Sequence, residues 1–189
     1  MLDRVLDFFD GELNAFFQAK TGAIGTTVAA GAIVNDSGKY VVPQDSIAAT
    51  IINIEEDTSL KEQNRENRFQ QGQNIQVEPR LKLNLFILFS ANYSHYDQAL
   101  KHLSLVLTYF QSHRSFSRER YPALNENIER LAVELQTLNY DQLNQIWAYL
   151  GGKYLPSIVY RVRLVSIQDQ TPATILPPVT IVNTSTGGQ

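Results

Sequence analysis

The stretch "LNLFILFSANYSHYDQALKHLSLVLTYFQ", Leu83–Gln111, decides the fold class. Its first part belongs to a strand over 80–93. From Leu85 to Phe89 every side chain is apolar, so neither face of that strand suits water, and it is read as a central strand covered on both sides. Ser94 is then read as the cap of a helix, with Asp97 three residues on as a capping-box-like partner. The helix runs over about 95–112. Tyr96, Ala99, Leu100, Leu103, Val106, Leu107 and Phe110 recur at helical spacing and line its buried face.

Working toward the N-terminus, "SIAATIINIE" at 46–55 reads as a second buried strand. Residues 20–45 are turn-rich, with Gly22, Gly25, Gly31 and Gly38, and "NDSGK" at 35–39 reads as a turn between short strands. The glycines lack the GxxxxGK[ST] spacing of a phosphate loop. Residues 2–19 form an amphipathic helix. Leu2, Val5, Leu6, Phe9, Leu13, Phe16 and Phe17 make its apolar stripe, and Asp3, Arg4, Asp7 and Asp10 take the other face. Residues 55–79 are long, polar and of mixed charge. They read as a loop of the length that usually carries function.

Toward the C-terminus, 113–126 reads as a polar loop. "IERLAVELQTL" at 128–138 fits two patterns. Leu131, Val133 and Leu135 alternate as in a strand, while Ile128, Leu131, Leu135 and Leu138 fit a helix. The strand is preferred. Asp141 is read as capping a helix with Leu143, Ile146, Trp147 and Leu150, ended by Gly151 or Gly152. "SIVYRVRLVSIQ" at 157–168 is the last strand, with Arg161 and Arg163 sharing a face with Val159 and Val165. The final twenty residues carry three prolines and a Gly-Gly end, and read as an extended arm. The order of elements gives an α/β (α+β) fold, helices flanking a mixed β-sheet, with one domain over 1–169 and an arm over 170–189.

The chain has 189 residues, of which 43 % are hydrophobic, enough for one domain with a full core. Its net charge of −3 and lack of a basic stripe argue against nucleic acid as a partner. It has no cysteine, which excludes disulfides, thiolate nucleophiles and cysteine-bound zinc. No run approaches the roughly 18 apolar residues of a membrane helix, so no membrane contact is evident. The acidic residues of the first helix do not fit a secretory signal.

Residues able to do chemistry do not converge in the sequence. His95 and His102 share a helix face but lie two turns apart, about 10–11 Å, too far to share a metal directly, and are read with His113 as solvated. Glu55, Glu56 and Asp57 cluster where a strand enters the polar loop, with Lys61, Arg65 and Arg68 downstream. They read as a solvated or interface cluster rather than an acid–base pair. There is no GxSxG elbow. Arg161 and Arg163 read as salt-bridging or interface residues, and Trp147 and Tyr149 as a helix-to-sheet contact.

Four segments in this order carry a family resemblance: "MLDRVLDFFDGELNAFF" at 1–17, "IINIEEDTSLKEQN" at 51–64, the Leu83–Gln111 stretch, and "LNQIWAYLGGKYLPSIVYRVRLV" at 143–165. Over about residues 1–168 the chain resembles the conserved N-terminal domain of cap proteins of phage-tail-like contractile injection systems. The resemblance implies a tail-terminator-like fold and a structural role, with no catalysis, no cofactor and no metal. Such caps form a ring, expected to be a hexamer, that binds the inner-tube protein and touches the sheath protein, stopping both polymers. The implied location is the cytoplasm during assembly and then the particle. Candidate contact residues are Glu55, Glu56, Arg65 and Arg68 at the long loop, Tyr93 and Tyr96 at the strand–helix corner, and Arg161 and Arg163. On the arm, Ile175, Leu176, Val179 and Ile181 are expected to add a strand to a neighbour. Extended, twenty residues reach roughly 65 Å. Two alternatives stand beside the cap: an adaptor at the baseplate or tube end of the same machine, and a small enzyme using Glu55 and Glu56.

Overall fold

A computed structural model describes residues 2–22, 27–57, 66–70, 73–77, 82–166 and 174–176. The elements in chain order are α1 (Leu2–Thr21), β1 (Val28–Ala30), β2 (Ser46–Glu56), β3 (Glu66–Gln70), β4 (Gln73–Val77), β5 (Lys82–Asn92), α2 (Tyr96–Ser112), β6 (Ser115–Ser117), β7 (Ile128–Gln136), α3 (Tyr140–Leu150), β8 (Ser157–Ser166) and β9 (Thr174–Leu176). The fold is a mixed α+β layer structure. A six-stranded sheet has the order β1-β2-β5-β8-β7-β6, with β1 parallel to β2 and every other neighbouring pair antiparallel.

β5 is flanked by β2 and β8, as its doubly apolar sequence predicts. Leu85, Ile87 and Phe89 point into a core shared with α1 and α2. Leu88 and Phe86 point to the other face, under α3 and the 33–42 segment. Successive strand residues face opposite ways, so one strand supplies both cores. Each fully buried Leu or Phe side chain contributes on the order of 1.5–3 kcal/mol. The larger core is aromatic at one end. Phe8 and Phe9 of α1 meet Phe116 edge-on at 5.4 and 5.5 Å, and Tyr121 lies 4.8 Å from Phe116.

Several sequence expectations change. Ser94 does not cap α2. The N-cap is His95, without a side-chain cap bond, while Ser94 gives its amide to Asp45 at 3.2 Å. The cap of α3 is Asn139 rather than Asp141: its side chain accepts from the Gln142 backbone amide at 2.8 Å, and the Asn139 backbone amide donates to Gln142 Oε1 at 3.0 Å. Gly151 ends that helix with φ +70°. The ambiguous 128–138 segment is strand β7, because Leu131 and Val133 both reach the larger core. Residues 113–126 are not all loop. Phe116 is fully buried and anchors the three-residue β6.

The long polar segment also holds structure. β3 and β4 pair as an antiparallel hairpin, and β9 joins β4, with Ile175 opposite Ile75. Part of the expected free arm is therefore a strand on its own chain. A polar hairpin carries no apolar alternation, so its sequence gave only loop signals.

Candidate assembly interface

The bulge in β2 shapes the surface on the α3 side. Pairing with β5 shifts between Ile51 and Asn53, so Ile52 is the extra residue. Beyond it, two rows of directly opposed residues cross the sheet. One row is Asn53, Phe86, Arg161 and Glu134. The next is Glu55, Asn84, Arg163 and Ala132. Opposed residues share a face, so Glu55, Arg161 and Arg163 lie on one polar surface past the end of α3. Glu55 and Arg163 sit two strands apart, their backbones separated by about 9–10 Å.

Each charge on this surface has a distinct setting. Arg161 donates to Glu134, its cross-strand neighbour, and that bond holds the exposed Glu134 carboxyl below its ordinary value. Arg163 Nε lies 3.2 Å from Asp57, whose side chain is only 9 % exposed. Asn53 donates to Glu55 at 2.8 Å. The Asn84 side-chain oxygen is buried without a partner. Between this surface and α3 runs a groove of about 500 Å³ with an apolar floor of Ile52, Phe86, Ile146 and Val159 and a rim that includes Glu55, Gln142 and Tyr149.

Tyr149 is 87 % exposed, which corrects its reading as a helix-to-sheet contact. It lies off the Leu143–Ile146–Trp147–Leu150 stripe of α3, and only Trp147 of the pair is buried. Tyr140 is 91 % exposed, and Tyr96 and Tyr154 are also exposed. Rings held in water are a contact resource, since tyrosine supplies large area and one polar tip. Tyr140 and Tyr154 are absent from the sequence candidates; Tyr140 lies off the apolar stripe of α3, which is the signal that marks it, while Tyr154 follows the helix and meets Trp147 edge-on at 5.8 Å.

Tyr93 turns inward. It is half-buried and stacked on His102 at 4.5 Å, with Phe17 on the other side of the imidazole at 5.7 Å. Burial pushes its hydroxyl well above its usual range. His102 is thus a packed residue, not a solvated one. His113 stacks on Tyr109 at 4.4 Å, and His95 is exposed. Glu56 is exposed on the opposite sheet face from Glu55. Arg68 lies in β3, and Ile175 and Leu176 lie in β9. Arg65, Val179 and Ile181 fall outside the described residues.

No group of three or more metal-ligating residues gathers among the described residues. No helix among them is long and apolar enough to cross a membrane. Among the described residues, the carboxyl held above its ordinary value is that of Asp10. Burial is the main cause, and the group bonds the Ala30 amide at the α1–β1 contact, away from the groove.

Residues 5–181 match the model of the Pvc16 N-terminal domain, and the chain belongs to that family. Its fold is similar to the sheath/tube terminator of PVC, an extracellular contractile injection system, in the extended state, with TM-score 0.66 at 16 % identity. It is also similar to the tube-terminating cap of the anti-feeding prophage, with TM-score 0.60 at 19 % identity. The alignments cover 100 % and 93 % of this chain but 64 % and 59 % of those proteins, so the chain spans under two thirds of their length. No curated protein matches the chain.

Proposed function

We propose that this chain is the capping module of a contractile injection system, a structural ring component that ends the inner tube and the sheath. The observation that carries this reading is family membership over residues 5–181. The chemistry of the surface supports it. The carboxylates near the groove are paired or lie on a rim, and the carboxyl raised by burial among the described residues, Asp10, serves a strand edge. That arrangement suits docking rather than turnover, so the role is not enzymatic. The ring is a homo-oligomer, expected to be a hexamer, assembled in the cytoplasm and then carried on the particle. The polar surface of Glu55, Arg161 and Arg163, with Tyr149 beside it, meets the tube or the sheath. Residues 1–169 form the capping domain. In the arm, the stretch with Val179 and Ile181 past β9 reaches a neighbouring protein.

The test is assembly in vitro. Purified chain is added to polymerising tube subunits, and tube lengths and ends are imaged by electron microscopy. A capping protein shortens the length distribution and appears as a ring on one end. Tubes of unchanged length with bare ends would remove the reading.

A further inference from the structure

Among the described residues, both ends of the six-stranded sheet are closed, at β1 and at β6. At one end of the six-stranded sheet, Val28 and Ala30 of β1 turn their peptide groups away from β2. Both are taken by α1. Asn14 Oδ1 accepts from the Thr27 and Val28 amides, Asn14 Nδ2 donates to the Val28 carbonyl, and Asp10 accepts from the Ala30 amide, all within 2.7–2.9 Å. At the other end, the outward Ser117 carbonyl of β6 accepts from the Arg120 and Tyr121 amides. Such closures are how proteins keep sheet edges from templating further strands.

β7 is different. β6 covers it only from Arg130 to Ala132, and the Val133 amide bonds the Arg114 carbonyl. Peptide groups alternate sides along a strand, so those of Leu135 point outward past the end of β6. Among the described residues no strand lies beside Glu134–Gln136. Leu135 is 55 % exposed and borders a groove of about 360 Å³ with Leu107, Phe110 and Tyr160.

The second open place is β9, an outer strand of the β3-β4-β9 sheet. Pro172 precedes it and Pro177 and Pro178 follow it. Proline has no amide to donate, so these residues confine the pairing run to about the length of the open stretch of β7. The opposite outer strand, β3, carries Glu66 and Arg68, and such edge charges discourage pairing, whereas Thr174–Ile175–Leu176 is uncharged.

We infer that β9 of one copy pairs with the Glu134–Gln136 edge of β7 in a second copy, joining the small sheet of each protomer to the large sheet of the next. With Ile175 opposite Leu135 in the register, the two positions share a face of the joined sheet, the face on which Leu135 borders the groove. The contact joins two different surfaces, so it is head-to-tail and extends until a rotation closes it. A second copy is favoured over a different protein because the chain itself supplies both matching edges. The inference rests on the ring reading above and names the contact that makes the ring.

The chain is free of cysteine, so Leu135→Cys and Ile175→Cys can be introduced on a silent background. The two single variants are mixed, oxidised gently and digested, and the joined peptides are identified by mass spectrometry. Leu100→Cys, on exposed α2 surface, is the control. The expected result is a 135–175 bond between chains, and a covalent ladder when both cysteines are on one chain. A bond within one chain would overturn the inference. So would mixed cysteine variants that stay monomeric under oxidation and form no 135–175 bond. Light scattering on the same samples separates the two readings: oligomers without the 135–175 bond remove this contact and leave the capping role intact.

Discussion

The side-chain amide of Asn14 is laid against the peptide of Val28 as a neighbouring strand would be. It donates to the carbonyl at 2.8 Å and accepts from the amide at 2.9 Å, while also accepting from Thr27 at 2.7 Å. A helix side chain thus ends the sheet. Asn14→Ala strands two amides and one carbonyl in a partly buried place. Leaving such groups unpaired costs about 1–3 kcal/mol each where water cannot replace the partner. A loss of about 2–3 kcal/mol in urea unfolding is expected, together with a greater tendency to self-associate through β1. An unchanged urea midpoint would mean that water serves this edge as well as Asn14 does.

Arg161 and Arg163 point to the same face, two residues apart, yet their removal should differ. Arg161 pairs with a carboxylate that is half in water, and exposed pairs contribute about 0–1 kcal/mol. Arg163 faces Asp57, which water barely reaches. Removing its partner leaves a carboxylate desolvated without that cation, which costs more than the pair itself gains. Arg163→Met should therefore destabilise by about 1–3 kcal/mol and Arg161→Met by under about 1 kcal/mol. Chemical unfolding of the two variants side by side decides it. Equal losses would show that burial of Asp57 is not what distinguishes them.

Acid should act on the Arg161 pair in a defined direction. The Arg161 bond lowers the Glu134 carboxyl below its ordinary value of 4.5. Its contribution is present above the unfolded value and is lost as pH falls through the folded one. Glu134→Gln should thus match the parent at strongly acidic pH. Near neutrality it should be slightly less stable, within the small range of an exposed pair. Thermal melts across the acid range test this, and a difference that grows toward low pH would contradict it.

What the sequence made legible was whatever a single strand or helix displays by itself. β5 could be placed at the centre because Leu85–Phe89 is apolar on both parities. The apolar stripe of α1 was visible for the same reason. The cap of α3 was misplaced by two residues, since Asp141 and Asn139 are equally good cap types and only the backbone tells them apart. β6 was hidden because one buried ring, Phe116, makes no pattern. The β3–β4 hairpin was hidden because its residues are mostly polar. The candidate surface was half legible. Arg161 and Arg163 were found by alternation, but their meeting with Glu55 depends on the Ile52 bulge, which no spacing announces. Asp10 read only as part of the polar face of a helix and Asn14 gave no signal, and only the chain's return past α1 gives them β1 to hold.

The end of α3 offers a backbone test. Gly151 has φ +70°, and a Cβ built there meets nothing within 4 Å. Gly152 has an ordinary φ, but its Cβ would lie 3.1 Å from Val34 Cγ1 and 3.7 Å from Trp147 Cζ3. Gly151→Ala should cost about 1 kcal/mol through conformation alone. Gly152→Val should instead press on the packing around Trp147, costing about 1–3 kcal/mol. Tryptophan fluorescence separates the two: it should shift in Gly152→Val and stay unchanged in Gly151→Ala.

Asp10 supplies the last prediction. Its carboxyl is held above 3.8 chiefly by burial, partly offset by the Ala30 amide it accepts from, and Asp7 adds to the rise. For an acid raised on folding, the stabilisation is complete below the unfolded value and is lost as pH climbs through the folded one. Ionised Asp10 is therefore a cost near neutrality. Asp10→Asn keeps an oxygen for the Ala30 amide and removes the charge. The variant should match the parent at about pH 3, where both side chains are neutral, and exceed it at about pH 7. Denaturant midpoints at the two pH values give the comparison. If the variant is less stable by the same margin at both, the second carboxylate oxygen, buried and unpartnered in the structure, is not replaced by an amide without loss, and geometry rather than charge governs this contact.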